Sequence, residues 1–317
     1  MRKTIKGALE LSEVRYTTEF LDSFDLAHLI SPDDSTLGNF LIDVQTPLIV
    51  SCLYTENDDK ARFLDYKIKK DKIERVYLKP KALKLLNNCS LVTVPTEQAK
   101  SDLIYLGVSN QIEVVPPGIN LARFDFSRTD EKEIFFRHFG EDNERKLVIA
   151  IGGINPSREA LETVINTAKA NPTALFYYLG SYEDTKLQKI VRKLIKSYPK
   201  NLKFKGVLTD DLHRSALINA DVLLIPGFTQ TGVISVYEAM AAKCQIIARE
   251  GVAPNDLLVD KVNSYIANES DTLVTLVTDY LNNNLQPTIE YAYEEISKNT
   301  LSKFGEDLVK VYKMKIS

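Results

Sequence analysis

The stretch "PGFTQTGVISVYEAMAAKC" (226–244) carries one carboxylate, Glu238, in a run that is otherwise small or apolar. Gly232 stands six residues before it and Gln230 eight residues before it. A helix that begins after Gly232, near Val233 and Ile234, presents unpaired backbone N–H groups and the positive end of its dipole, which together suit an anion. A second stretch, "KLVIAIGGINPSREA" (146–160), runs from an apolar strand into Gly152 and Gly153 and reaches Arg158 at the start of the next helix. Paired glycines let a backbone approach a phosphate, and an arginine can fork onto phosphate oxygens. Each residue also has a plainer reading: Glu238 as a solvated helix glutamate, Arg158 as a solvated first-turn arginine, the glycines as a tight strand-to-helix turn.

Such residues need a scaffold of alternating strands and helices. "EVRYTT" (13–18), "FDLAHLI" (24–30), "PLIVSCLY" (47–54), "SLVTVPT" (90–96) and "IEVVPPGIN" (112–120) read as strands. The near-continuous apolar character of 47–54 suits a parallel strand buried on both faces. Residues 60–88 read as a heavily basic helix, and "EQAKSDLIYLG" as a helix ended by Gly107. The charge-rich segment 128–146 interrupts the pattern, which then restarts. Strands follow at 146–153, 174–180, "LKFKGVL", "DVLLIPG" and 245–248, separated by helices that include 159–171 and "EDTKLQKIVRKLIKSYP". In 159–171, Leu161, Val164, Ile165 and Ala168 share one face. The C-terminal stretch reads as largely helical. This order predicts an α/β protein of two parallel sheets flanked by helices, with the active site in the cleft beyond the C-terminal strand ends. The expected divisions are an N-terminal domain at 1–125, a linker at 126–145, a C-terminal domain at 146–295 and a final helix at 296–317 placed to cross back to the first domain.

Length and composition agree with that outline. The 317 residues suffice for two domains of ~150 residues each. A net charge of −3 supplies no basic field for nucleic acid. No stretch approaches the ~20 apolar residues of a membrane span, and the basic N-terminus lacks the apolar core of a signal peptide, so a cytoplasmic protein is expected. Cys52, Cys89 and Cys244 are widely separated and odd in number, which suits reduced core thiols. His28, His138 and His213 show no metal-ligand spacing, and no Asp-x-Asp triplet occurs, so no metal is expected.

Five stretches, taken in order from 88 to 267, resemble the retaining nucleotide-sugar glycosyltransferases of the GT-B fold, family 4. They are "NCSLVTVPTEQAKSDLIYLGVSNQIEVVPPGINLARF", "LVIAIGGINPSREALETVINTA", "NLKFKGVLTDDLHRSALINADVLLIPG", "EAMAAKCQIIA" and "GVAPNDLLVDKVNSYIA". The resemblance implies two Rossmann-like domains facing across a cleft. It also implies transfer of a hexose from a nucleoside diphosphate sugar to a glycan or lipid-linked acceptor, with no cofactor and no metal. The matching glutamate, Glu238, would accept hydrogen bonds from the nucleotide ribose, a task that suits a carboxylate because it can accept from both hydroxyls of a vicinal diol. Arg158, Gly152, Gly153, Thr231, Gly232, Val233 and Ile234 would surround the donor diphosphate, and Gln230 would face the sugar as the candidate catalytic position.

The departures are as informative. Gln230 stands where the family has a glutamate, so it can bind a hydroxyl but brings no charge to an oxocarbenium-like transition state. Gly153 replaces an arginine, Asn255 replaces a glutamate at the cleft, and Leu53 stands where a histidine usually lies near the reacting carbon. His28 matches a family histidine beside the sheet end and is equally readable as a core-edge residue. The family's first strand and Gly-Gly loop have no counterpart here. An upstream in-frame segment would restore them, and without them a protein partner is expected to cover the incomplete N-domain. These departures support an alternative reading, a non-catalytic partner or scaffold of an active glycosyltransferase. The basic stretch 67–84, read as an amphipathic helix, suggests peripheral contact with the inner face of a membrane.

Overall fold

The computed structural model describes residues 2–19, 21–32, 34–52, 64–69, 72–125, 129–151, 158–180, 198–227, 233–251 and 257–316. Helix α1 (Arg2–Leu11) opens the chain and is followed by β1 (Ala27–Leu29), α2 (Ser35–Asp43) and β2 (Leu48–Ser51). An antiparallel hairpin, β3 (Leu64–Lys69) and β4 (Lys72–Leu78), is inserted after β2. Next come α3 (Pro80–Asn88), β5 (Leu91–Val94), α4 (Glu97–Tyr105) and β6 (Ile112–Val114). The parallel sheet runs β1-β2-β5-β6. Alternation along its strands separates two cores. Leu48, Val50, Val92 and Val94 face Leu41, Leu85 and Leu103 of α2, α3 and α4. Ile49, Leu91 and Val115 face the opposite way, against α1 and the last helix, α11 (Leu301–Lys313), through Ile5, Leu9, Phe304 and Leu308.

Three local readings are corrected in this half. Residues 14–19 form no strand: they leave α1 through Glu13, at φ 55°, and run exposed after the partly buried Val14, with Tyr16 Oη donating to Glu10 Oε1 at 2.6 Å. The stretch 60–88 is not one basic helix. Its described part is the β3–β4 hairpin followed by α3, because β-branched Ile68, Ile73 and Val76 and the period-two pattern of "YKIK" favour strands. Third, the segment read as a linker carries α5 (Thr129–Phe139). Phe135 of α5 is fully buried and meets the Tyr177 ring edge-on at 4.9 Å, so this helix belongs to the second core.

The second sheet is all parallel, with β7 (Leu147–Ile151), β8 (Leu175–Leu179), β9 (Leu202–Lys205), β10 (Val222–Ile225), β11 (Gln245–Arg249) and β12 (Tyr265–Ala267) in the order β12-β11-β10-β7-β8-β9. Helices α6 (Arg158–Ala170) and α9 (Ser270–Leu281) cover one face through Leu161, Val164, Leu273 and Val277. Helices α5, α7 (Asp210–Asn219), α8 (Val233–Ala241) and α10 (Ile289–Ile296) cover the other through Phe135, Leu217, Val236, Met240 and Ile296. The helix expected at "EDTKLQKIVRKLIKSYP" lies almost wholly outside the described residues.

The chain passes between the sheets twice, and the two passages pair. Ile119 bridges Thr300, with Ile119 N donating to Asn299 O at 2.8 Å. Gly118 permits the approach, because a Cβ there would stand 2.6 Å from Thr300 O and 2.8 Å from Leu301 Cα. Among the described residues no helix is long and apolar enough to cross a membrane.

Candidate active site

In the second sheet the chain leaves β7 for β8 and β9 on one side, whereas β10 leads to β11 and β12 on the other. The two central strands lie side by side in register, Val222 opposite Val148 and Leu224 opposite Ala150. This is a topological switch point, where the connections diverge and leave a crevice beyond the C-terminal strand ends. Both candidate motifs come directly after those ends: β7 stops at Ile151 before the two glycines, and β10 stops at Ile225 before the stretch that holds Gln230. Gly152, Gly153, Gln230, Thr231, Gly232 and Asn255 themselves lie outside the described residues, as does Leu53.

Each of the two stretches runs into a helix that is described. Arg158 is the first residue of α6, although its side chain is not among those described. Val233 and Ile234 are the first residues of α8, Val233 buried and Ile234 partly so. The first N–H groups of a helix lack intrahelical partners, so α6 and α8 both bring donors to the crevice. Val236, Tyr237 and Met240 anchor α8 in the core, which leaves Glu238 on its half-exposed side. The Glu238 side chain is 17% exposed, and its Oε2 lies 3.2 Å from Nε2 of His213, in the first turns of α7. The neighbouring Tyr237 accepts from Asn299 Nδ2 at 3.2 Å, which ties α8 to the passage between the sheets.

Sequence reasoning missed two side chains at this edge. His213 reads there as one of three scattered histidines, because its contact with Glu238 spans 25 positions and arises only when α7 and α8 flank β10 on the same face. Arg249 ends β11 and pairs with Glu159, next to Arg158, at 2.7 Å. It also lines a cavity of about 230 Å³ with Glu250, Asp260 and Asn268.

His28 is partly buried and tied into the first sheet. Its Nδ1 is 2.7 Å from Tyr312 Oη of α11 and its Nε2 is 2.7 Å from Ser51 Oγ, which in turn is 2.7 Å from Thr93 Oγ1. Desolvation by burial lowers the His28 pKa to about 4, so the ring is neutral near pH 7 and serves as a hydrogen-bonding link. The three cysteines are buried thiols. Burial raises the Cys89 pKa to about 11 and pushes Cys244 higher still, which removes them as nucleophiles. Among the described residues no group of three or more His, Cys, Asp or Glu side chains could hold a metal ion.

Residues 145–283, which include β7, β10, Glu238 and His213, match the family model described as glycosyl transferases group 1. The structure of Anabaena Alr3699/HepE in complex with UDP and glucose superposes with a TM-score of 0.71 over 99% of this chain and 81% of that one, at 14% identity. Residues 145–283 thus carry a glycosyl transferases group 1 region, and the chain shares the GT-B fold of its structural neighbours. The chain is also similar to the processive diacylglycerol alpha-glucosyltransferase of Acholeplasma laidlawii, 24% identical over 97% of this chain and 90% of that protein. The sucrose-phosphate synthase of Thermosynechococcus elongatus shares its fold at a TM-score of 0.70, covering 92% of this chain and 73% of that one, at 14% identity. These likenesses favour the sugar-transferring reading over the non-catalytic partner.

Proposed function

We propose that this protein is a glycosyltransferase that moves glucose from UDP-glucose to a lipid-linked acceptor with retention of configuration. The observation that carries this reading is the half-buried carboxylate of Glu238, fixed on α8 at the switch point of the second sheet. In this reading Glu238 accepts hydrogen bonds from the ribose hydroxyls. The starts of α6 and α8 and the cation of Arg158 stabilise the diphosphate as its negative charge grows in the transition state. The sequence resemblance assigns the phosphates to Gly152, Gly153, Thr231 and Gly232, a sugar hydroxyl to Gln230 and a cleft position to Asn255. The diphosphate leaves without a metal ion, so EDTA leaves turnover unchanged.

The acceptor side rests on the first sheet. The β3–β4 hairpin is inserted after the C-terminal end of β2, the edge that faces a ligand in such sheets. The likeness to a diacylglycerol glucosyltransferase supports a lipid acceptor, and the lysines of 67–84 support peripheral attraction to anionic headgroups at the cytoplasmic face. Tyr77 on β4 and Phe40 and Val44 by α2 expose apolar surface in the same half of the chain as these lysines.

Thermal shift with UDP-glucose tests the donor half, and glucosyl transfer to diacylglycerol in mixed micelles tests the acceptor half, with the product anomer read by NMR. Glu238→Ala should abolish the shift, given the ~1.5–3 kcal/mol of hydrogen bonds to a charged group. No nucleotide binding at millimolar concentration would end this reading.

A further inference from the structure

We infer that His213 is a positioning residue for Glu238 and through it sets the affinity for the nucleotide. The inference rests on the reading of Glu238 as the carboxylate that holds the ribose. Helices α7 and α8 lie on the same face, either side of β10, and pack through Leu217, Val236 and Met240 into one core. Both are therefore rigid mounts, and both begin at the ligand-facing edge of the sheet. His213 lies one helical hydrogen bond from the start of α7, its N donating to Thr209 O at 2.8 Å. Its Nε2 then reaches Glu238 Oε2 at 3.2 Å, with the two side chains 28% and 17% exposed.

A glutamate has three rotatable side-chain bonds, and a ligand that must order it pays that entropy on binding. A proton on Nε2 lets His213 donate to Oε2 and hold the carboxylate in place before the ligand arrives. Each carboxylate oxygen offers two lone pairs, so Oε1 and the second lone pair of Oε2 remain for a vicinal diol. Other charged groups of this turn are directed elsewhere: Asp210 pairs with Arg123 at 2.8 Å and Asp211 with Arg214 at 3.2 Å. The arrangement resembles the outer-shell hydrogen bonds that orient ligating side chains in other kinds of site.

The test is calorimetric titration of UDP into wild type, Glu238→Ala, His213→Ala and His213→Gln, with steady-state kinetics on UDP-glucose. His213→Ala should weaken UDP about tenfold and raise the donor KM by a similar factor, with kcat changed less than about twofold, the scale of one charge-assisted hydrogen bond. His213→Gln should recover most of that loss, because its amide N–H can reach the same oxygen. Wild-type affinity in His213→Ala, beside a lost site in Glu238→Ala, would overturn the positioning role alone. A loss in His213→Ala that His213→Gln does not repair would overturn it as well, since packing rather than the hydrogen bond would then matter. Unchanged UDP binding in Glu238→Ala, or none in wild type, would overturn the donor-site reading, and this inference with it.

Discussion

The His28 network makes an acid-stability prediction whose size is set by its geometry. In the folded chain the imidazole is held between Tyr312 Oη and Ser51 Oγ, and burial lowers its pKa to about 4. In the unfolded chain a histidine titrates near ~6.5. Between these values the unfolded state takes up a proton that the folded state refuses, so stability is full above the unfolded pKa and falls as pH drops toward the folded one. Linkage gives a loss of about 2 kcal/mol between pH 7 and pH 5, growing to about 3 kcal/mol at pH 4. The upper window is the cleaner one, because carboxylates titrate mainly below it. Urea unfolding followed by tyrosine fluorescence at pH 7, 6 and 5 reads the loss, and His28→Gln removes the titrating group while keeping an amide in its place. The variant starts less stable at pH 7 by roughly 1–2 kcal/mol, since two hydrogen-bond partners are imperfectly met, but it loses less on acidification. Equal losses from pH 7 to pH 5 in wild type and variant would refute the reasoning. So would an imidazole resonance of His28 that titrates near 6.5 in the folded protein.

Two further substitutions test the packing. Gly118→Ala places a methyl group 2.6 Å from Thr300 O and 2.8 Å from Leu301 Cα, so the paired passages must separate; thermal unfolding should show a loss of about 1–3 kcal/mol. Phe135→Ala should cost about 3–5 kcal/mol and unfold the second sheet's core at lower urea, whereas a variant within about 0.5 kcal/mol of wild type would return this segment to the status of a linker.

The parallel strands were legible because a strand buried on both faces must be apolar at successive positions, as in Leu48–Ser51, Val222–Ile225 and Gln245–Arg249. The misreadings share a different cause. Ile68, Ile73, Val76 and Leu83 admit a helical spacing once lysines are treated as filler, and only the β-branched bias and the alternation within "YKIK" favour the hairpin. In 128–146 the density of charge masked Phe135 and Phe139, which form an aromatic cluster with Tyr177 that no local pattern announces. Within the site, Glu238 stood out as a carboxylate in an apolar run. Its partner His213 has no such signal, because a contact between two helices on either side of a strand is set by sheet order and not by spacing.

The two sheets use their polar residues differently, and the proposed function divides between them accordingly. In the first, His28, Ser51 and Thr93 come from adjacent strands and bond to one another and to Tyr312, so their hydrogen-bonding capacity is turned inward. A neutral, internally satisfied chain of this kind has little to offer a charged ligand, and it fixes α11 against the sheet. In the second sheet, Glu238 and His213 remain partly open beside a crevice that two helix starts line with N–H donors. A diphosphate needs such donors and a diol needs such a carboxylate, so the proposed function puts the donor with the second sheet. Under the proposed function the first is left to offer its inserted hairpin and the surface of α2 and α3 to the acceptor, because lipid chains call for apolar and cationic surface rather than a buried polar network.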